Sequence, residues 1–367
     1  MKVLLITSHL KVGGIPVYTV TLANHLRKRG HDVFVASGGG ELKSELSSGV
    51  VHIDVPLDTK SVLSPKIWIT VLRLRRLIKK ERMDIIHAQT RVAHFTAHIL
   101  SGMTGAPYIV TWHGFYRPHF FRKLLPCWGD RTIAISEAVA QNLREAFGRD
   151  DTKIRVVLNG IDRDKFRPED YETRICGIRA KYGLKDAPIV GIVSRLAPEK
   201  GHMILLEAFG KLLDDLPDAQ LIIIGDGRTR GELEKKAGRL GIEKSVFFFG
   251  RILNVAEFLA IMDVFVRPST IEGFGLGVVE AMMMRRPVVA SDLSEFRQIL
   301  DDGKAGLLVR TGDSGSLKDA LLRLLRDPVF ARGLGMAGYE YAVKNFSADR
   351  VASDIEDIYK KAVHERK

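Results

Sequence analysis

The sequence is poor in the features that define several protein classes. It has two cysteines in 367 residues, Cys127 and Cys176, at neither ligand nor framework spacing, as expected in a reducing compartment. No apolar run approaches the ~18 residues of a membrane span. The opening residues 1–7 are too short a stretch for a signal peptide and read as a buried strand. No His, Asp and Glu cluster has metal-ligand spacing, and no Ser/His/Asp arrangement stands out. Neither the Gly13-Gly14 segment after the first strand nor the matching loop of the second half reads G-x-G-x-x-G, which removes the main support for a nicotinamide dehydrogenase. Repeats, low-complexity tracts and basic tails are missing too. These absences predict a soluble cytoplasmic protein that needs no metal.

What is present is globular: 46% of residues are hydrophobic and 27% charged. At about 100–200 residues per domain the length predicts two domains. Charge is distributed unevenly. Residues 1–168 carry 26 basic and 14 acidic side chains, whereas 169–367 carry 30 of each, so the net +12 belongs to the first half. The halves are expected to face different partners.

Short apolar strands alternate with helical stretches. Strands are predicted at 2–7, 32–36, 85–88, 108–111, 132–135 and 155–158, with a first helix opening near Pro16 and closing at Gly30. The pattern restarts at 189–193 and continues at 221–225, 246–249, 264–267 and 288–290. Such alternation predicts an α/β protein with parallel sheets covered on both faces. A linker is placed at Asn159-Gly160-Ile161-Asp162 and the polar stretch after it, dividing the chain into domains 1–168 and 169–347. Two such domains facing each other would leave a cleft at the carboxyl ends of both sheets, where ligands bind.

Several motifs fall at those ends. Gly13-Gly14 lies between the first strand and helix, as a tight turn or as a place where backbone amides approach an anion. Arg195 and Lys200 follow the first strand of the second half. They are either solvated charges or two cations able to neutralise a diphosphate. Glu272-Gly273-Phe274-Gly275-Leu276-Gly277-Val278-Val279-Glu280 is the strongest signal. Its glycines free amides at a predicted helix start, Glu272 precedes that helix and points into the cleft, and Glu280 is placed to accept from a ribose diol. A dipole complement would explain Glu280 alone, but not two carboxylates bracketing three glycines. His113 ends a strand and is either functional or a hydrogen-bonded core histidine, with His87 the weaker candidate.

The basic half has its own pattern. Residues 66–82 read as a helix with Ile67, Val71, Leu74 and Ile78 on one stripe and Arg73, Arg76, Lys79 and Lys80 on the other side. Residues 115–123 interleave aromatics with Arg117, Arg122 and Lys123. A solvated face is the default for one basic helix; together the two segments point to an anionic membrane surface. Nucleic acid is the weaker option, because no nucleic-acid module is recognisable, and none is expected as partner.

Taken in order, the motifs resemble the retaining family-4 glycosyltransferases of the two-Rossmann GT-B architecture, over essentially the full length. They are Gly13-Gly14, Asn159-Gly160-Ile161-Asp162, Arg195 to Lys200-Gly201, Gly225-Asp226-Gly227, and Glu272 with Glu280. The resemblance implies that Glu280 holds the donor ribose. It implies that Glu272, with the amides of Phe274, Gly275 and Leu276, contacts donor sugar and phosphate. Arg195 and Lys200 would meet the leaving diphosphate, with Gly14 meeting it from the other domain and His113 near the transferred sugar. The base would lie against the loop after Phe249-Gly250-Arg251, with Gly227 also contacting the donor, and the final helix, about 348–363, would cross back onto the first domain. The sequence departs from the family at Ser294-Glu295, Gln298 and Arg285, where Gly-Gly, a glutamate and a glycine are usual.

The implied reaction is metal-free transfer of a sugar from a nucleotide diphosphate donor, with retention, to a glycolipid or saccharide hydroxyl. Residues 87–113 look most like lipopolysaccharide-core transferases, which implies a protein peripherally bound to the inner face of the cytoplasmic membrane. A transferase for another glycolipid or exopolysaccharide, a GT-B nucleotide-sugar epimerase, and a non-catalytic nucleotide-sugar binder are the alternatives.

Overall fold

The computed structural model describes residues 1–116 and 127–366, so the expected surface residues Arg117, Arg122 and Lys123 lie outside the described residues. The chain forms two units. The first comprises Met1–Gly160 together with the last helix. Its strands are β1 (Lys2–Ile6), β2 (Asp32–Ser37), β3 (Val51–Asp54), β4 (Ile85–Ala88), β5 (Tyr108–Trp112), β6 (Arg131–Ala134) and β7 (Ile154–Val156). They pair in parallel in the order 3-2-1-4-5-6-7. Helices α1 (Gly14–Lys28), α2 (Pro65–Glu81), α3 (Arg91–Thr104) and α4 (Glu137–Phe147) accompany them.

The second unit, Ile161–Ser347, repeats the scheme. It contains β8 (Ile189–Val193), β9 (Gln220–Ile224), β10 (Val246–Phe249), β11 (Val264–Arg267), β12 (Val288–Ser291) and β13 (Leu307–Val309), in the order 10-9-8-11-12-13. Its helices are α5 (Ile175–Lys181), α6 (His202–Leu213), α7 (Arg230–Arg239), α8 (Val255–Ile261), α9 (Leu276–Met283), α10 (Ser294–Ile299), α11 (Ser314–Arg326) and α12 (Pro328–Asn345). The last helix, α13 (Ala348–Glu365), belongs to the first unit: Val351, Ile355, Ile358 and Tyr359 share a core with Val3, Leu5 and Leu26.

Central strands carry continuous apolar runs because both faces are covered; Leu4, Leu5, Ile6, Ile192, Ile222 and Ile223 have no exposed surface. In each sheet the order reverses once, between β1 and β4 and between β8 and β11. In open parallel sheets ligands bind outside the carboxyl ends of the strands at such a reversal.

Two expectations need correction. The break between units falls after Gly160, not after residue 168. The Ile161 amide donates to the Phe346 carbonyl at 2.8 Å and Ile161 bridges Ser347, so the two crossing segments are tied together and residues 161–168 stay with the second unit. Helix α1 opens at Gly14, before Pro16, because the Val17 amide already reaches the Gly13 carbonyl (3.0 Å).

Candidate functional site

In the second unit the marked residues sit on loops that leave neighbouring strands at one edge of the sheet. Arg195 and Lys200 follow β8, Gly227 follows β9, Arg251 follows β10, and Glu272 follows β11. Close backbone approach holds the loops together. Gly201 has φ +74°, and a Cβ there would stand 1.8 Å from the Pro268 carbonyl oxygen, so the β8 and β11 loops touch through a position only glycine can occupy. Gly227 is similarly pressed: its Cβ would lie 2.1 Å from the Leu196 carbonyl oxygen.

That contact assembles a buried ion cluster. Lys200 Nζ lies 2.7 Å from Glu272 Oε1. Glu272 Oε2 accepts from Arg267 Nε at 2.9 Å and from the Ser269 hydroxyl at 3.2 Å, with Arg267 Nη2 at 2.8 Å. Arg267 is itself fixed by donating from Nη1 to the Val193 carbonyl at 2.6 Å. Burial alone would raise the Glu272 carboxyl, but Arg267 and Lys200 overcome it and hold it at about 2. The Lys200 ammonium is pushed down by burial and by Arg267, against the pull of Glu272. Two cations share one carboxylate here, which leaves a local positive excess at the crevice. Glu272 is thus turned onto Arg267 and Lys200 rather than standing free, because an unpaired carboxylate at this depth would be far costlier. Arg195 is exposed and pairs with Glu199 at 2.6 Å, and Arg251 stands 4.0 Å from Asp226.

Glu280 lies one turn into α9 and is buried, and among the described residues no side chain or backbone amide donates to its carboxylate. Burial raises it to about 7, only partly countered by Arg267. The start of α9 has no side-chain cap, so amides of Leu276 and its neighbours are open to an anion. Gly275 there has φ +102°, and a Cβ would press to 2.7 Å from the Phe296 ring, while Phe274 is buried. Of the departures noted in the sequence, Arg285 keeps a glycine-like backbone at φ 56° and engages Glu169 and Glu172 and the Tyr339 ring. Glu295 is buried and its carboxyl raised by that burial.

In the first unit, His113 follows β5. Its Nε2 lies 3.0 Å from Gln89 Oε1, and its ring meets the Tyr18 ring edge-on at 4.9 Å. Burial and His94 lower its pKa to about 3, so it is a neutral hydrogen-bonding ring at physiological pH. His87 is a core histidine: wholly buried, it bonds the Tyr359 hydroxyl and the Thr111 hydroxyl, each at 2.7 Å. Gly13 is extended (φ 164°), a conformation open to any residue, with the nearest atom to a Cβ 3.8 Å away. Glycine there is not demanded by the fold of this unit.

On α2, Ile67, Val71, Leu74 and Ile78 are buried and Arg73, Arg76, Lys79 and Lys80 are exposed. Sequence reasoning missed the rest of the outer face. Trp68, Ile69 and Leu72 are 55%, 56% and 55% exposed, and Leu63 just before the helix is 84% exposed. It also missed Arg267, whose signal was a lone arginine closing the apolar strand Val264-Phe265-Val266.

Comparison with known proteins identifies the family. Residues 12–165 match the Glycosyltransferase Family 4 family and residues 177–341 match Glycosyl transferases group 1. A phosphatidyl-myo-inositol mannosyltransferase of Mycobacterium leprae is 30% identical over 363 residues, covering 95% of this chain and 92% of that protein. An alpha-D-kanosaminyltransferase of Streptomyces kanamyceticus is 29% identical, over 79% of this chain and 80% of that one. The crystal structure of Anabaena Alr3699/HepE in complex with UDP and glucose superposes with TM-score 0.85 at 23% identity, covering 98% of this chain and all of that one. Two parallel-sheet Rossmann-like units of the GT-B kind are therefore the fold. The chain belongs to the group 1 glycosyltransferases, and it is a glycosyltransferase enzyme.

Proposed function

We propose that the enzyme moves a sugar from a nucleotide diphosphate donor to a hydroxyl of a membrane-anchored glycolipid or polysaccharide, with retention and without a metal, lipopolysaccharide core being the acceptor the sequence favours. The observation that carries the donor half is the Lys200–Glu272–Arg267 cluster beside the open amides of α9 and the unpartnered Glu280. A diphosphate entering there would meet Lys200, Arg195 and the helix amides, and Glu280 would accept from the ribose diol. Glu272, held ionised by Arg267, would accept from hydroxyls of the donor sugar. UDP is the first donor nucleotide to test, since the superposing Anabaena protein was crystallised with UDP and glucose.

In the proposed step the anomeric carbon's bond to the β-phosphate oxygen breaks while the acceptor oxygen bonds the same face of that carbon. The acceptor proton passes to the departing phosphate oxygen, and Lys200 and Arg195 carry the charge that develops on it. His113, neutral, orients the sugar by hydrogen bonding. Loss of one such charge donor costs about 2–4 kcal/mol of transition-state stabilisation, so Lys200→Ala should lose most turnover while remaining folded. The linkage is read by NMR of the product: a retained anomer supports the reading and an inverted one defeats it. Activity abolished by chelator and restored by Mg²⁺ would defeat the metal-free part, and epimerised donor formed without acceptor would favour the epimerase alternative.

The acceptor half rests on α2. No helix among the described residues is long and apolar enough to cross a membrane. Helix α2 instead presents Trp68, Ile69 and Leu72 in its first turns and Arg73, Arg76, Lys79 and Lys80 further on, the composition of an interfacial helix on an anionic surface. On this reading the protein works peripherally on the inner face of the cytoplasmic membrane. Vesicle flotation should fall as salt rises, and equal binding to neutral lipid would contradict it.

A further inference from the structure

In the first unit β1, β4 and β5 end side by side, and just beyond those ends lie His113 and the amide that holds it. In register, Ile6 of β1 pairs Ala88 of β4, and Ala88 pairs Val110 of β5, so Gln89 sits among all three strand ends. Gln89 is 1% exposed, and its backbone amide is fixed on the Ile6 carbonyl at 2.9 Å. Its side chain makes one hydrogen bond among the described residues, from Oε1 to His113 Nε2 at 3.0 Å. The Gln89 Nε2 is buried with no partner there. A buried donor left unpaired is costly, and leucine or methionine would fill the same volume without that cost. Neither could accept a hydrogen bond, so what the glutamine adds is the acceptor.

An amide oxygen only accepts, so His113 Nε2 carries the ring proton and Nδ1 keeps its lone pair. The Tyr18 ring packs edge-on at 4.9 Å and resists turning of the imidazole. The titratable groups facing His113 are Tyr18 of α1, His87 of β4 and His94 of α3, and its nitrogens bond no group but Gln89 among the described residues. His113 is only half-buried, so the edge turned away from Gln89 is the one left for a ligand. We propose that Gln89 is a positioning residue: it holds His113 as the Nε2–H tautomer, and the bare Nδ1 selects a donor sugar that offers a hydroxyl over one that offers a carboxylate. The tautomer needs only the structure of this unit; the selection rests on the transferase reading, which brings His113 to the transferred sugar. A hydroxyl can donate to Nδ1, whereas the carboxylate of a uronic acid would meet a lone pair with no proton between them.

Long-range ¹H–¹⁵N correlation spectra of the full chain read the tautomer, with His113 assigned by the signals missing in His113→Asn. The wild type should show one pure tautomer, Nε2 pyrrole-like and Nδ1 pyridine-like. Gln89→Leu should give shifts averaged between the two tautomers. Gln89→Glu, which keeps an acceptor, should retain Nε2–H and move the His113 titration to higher pH, and the remaining histidine signals report that each variant is folded. His113 protonated on Nδ1 in the wild type, or an unchanged tautomer in Gln89→Leu, overturns the proposal. Competition calorimetry reads the selection. The wild type should bind UDP-glucose about tenfold or more tightly than UDP-glucuronate, and Gln89→Leu should narrow that ratio, because its imidazole is free to present Nδ1–H. Equal affinities in the wild type, or a ratio that Gln89→Leu leaves alone, overturns the selection. UDP titrated on the same samples separates the two failures. Intact UDP binding without discrimination between the sugars defeats the role given to Gln89 and His113. Absence of UDP binding defeats the donor reading and the selection with it, while the tautomer stands or falls on the spectra.

Discussion

At the scale of single residues, the donor side is governed by how buried carboxylates are neutralised. Glu272 is ion-paired with two cations whereas Glu280 is paired with none and only weakly favoured by Arg267, and their acidities part accordingly, to about 2 and about 7. Arg267 is the positioning residue of the pair. Arg267→Gln leaves Glu272 on Lys200 alone, so its pKa should rise and the acid limb of kcat/KM should move to higher pH, with partial recovery in Arg267→Lys. Removing one partner of a buried pair also costs about 3–5 kcal/mol, which a denaturant midpoint would register. The depressed Glu272 stabilises the fold above its unfolded pKa near 4.5, and that contribution is lost as pH falls towards 2.

Glu280 has the opposite sign. Its folded pKa lies above the unfolded value, so between about pH 4.5 and 7 rising pH costs stability, by up to about 3 kcal/mol once both states are ionised. Glu280→Gln should therefore raise Tm at pH 8 and leave it nearly unchanged at pH 4. The same variant should lose the preference for UDP over 2′,3′-dideoxy-UDP, because the diol no longer meets a carboxylate. A preference that survives would place the ribose elsewhere.

At the scale of elements, the helices show which contacts the periodicity could and could not reveal. On α2 the stripe Ile67, Val71, Leu74, Ile78 is core as its spacing requires. The neighbouring Trp68, Ile69 and Leu72 have the same chemistry and lie outside, a distinction that a stripe count cannot make because it depends on what covers the face. Trp68→Ser with Leu72→Ser should leave Tm unchanged and reduce vesicle flotation, whereas Leu74→Ala should destabilise by about 2–5 kcal/mol. Strands β3 and β13 were not legible for a related reason: they are short edge strands, three to four residues long and only partly buried, without the continuous apolar run of the central ones. Helix α13 ties itself to the sheet by the Tyr359 hydroxyl on His87. Tyr359→Phe leaves that buried ring nitrogen unpaired and should cost about 1–3 kcal/mol in a chemical melt.

At the scale of the whole molecule, the alternation of strands and helices made two parallel-sheet units readable, and the glycines bracketed by Glu272 and Glu280 marked one end of the second. The topology explains why motifs far apart in sequence act together: β8, β9, β10 and β11 are neighbours, so Arg195, Gly227, Arg251 and Glu272 emerge at one sheet edge. Arg267 stayed hidden because its role arises only when the β8 and β11 loops meet at Gly201 and Pro268. The basic excess of the first half resolves into particular places, with Arg73, Arg76, Lys79 and Lys80 outward on one helix and Lys66 with Arg73 at a cleft.

The central claim is that the carboxyl edge of the second unit is a nucleoside-diphosphate site built on Lys200 and Glu280. Calorimetric titration of the full chain with UDP and with UMP tests it most directly. One equivalent of UDP should bind, more tightly than UMP, with affinity lowered by about tenfold or more in Lys200→Ala and in Glu280→Ala. Equal affinity for UMP and UDP, or unchanged UDP binding in both variants, would contradict it.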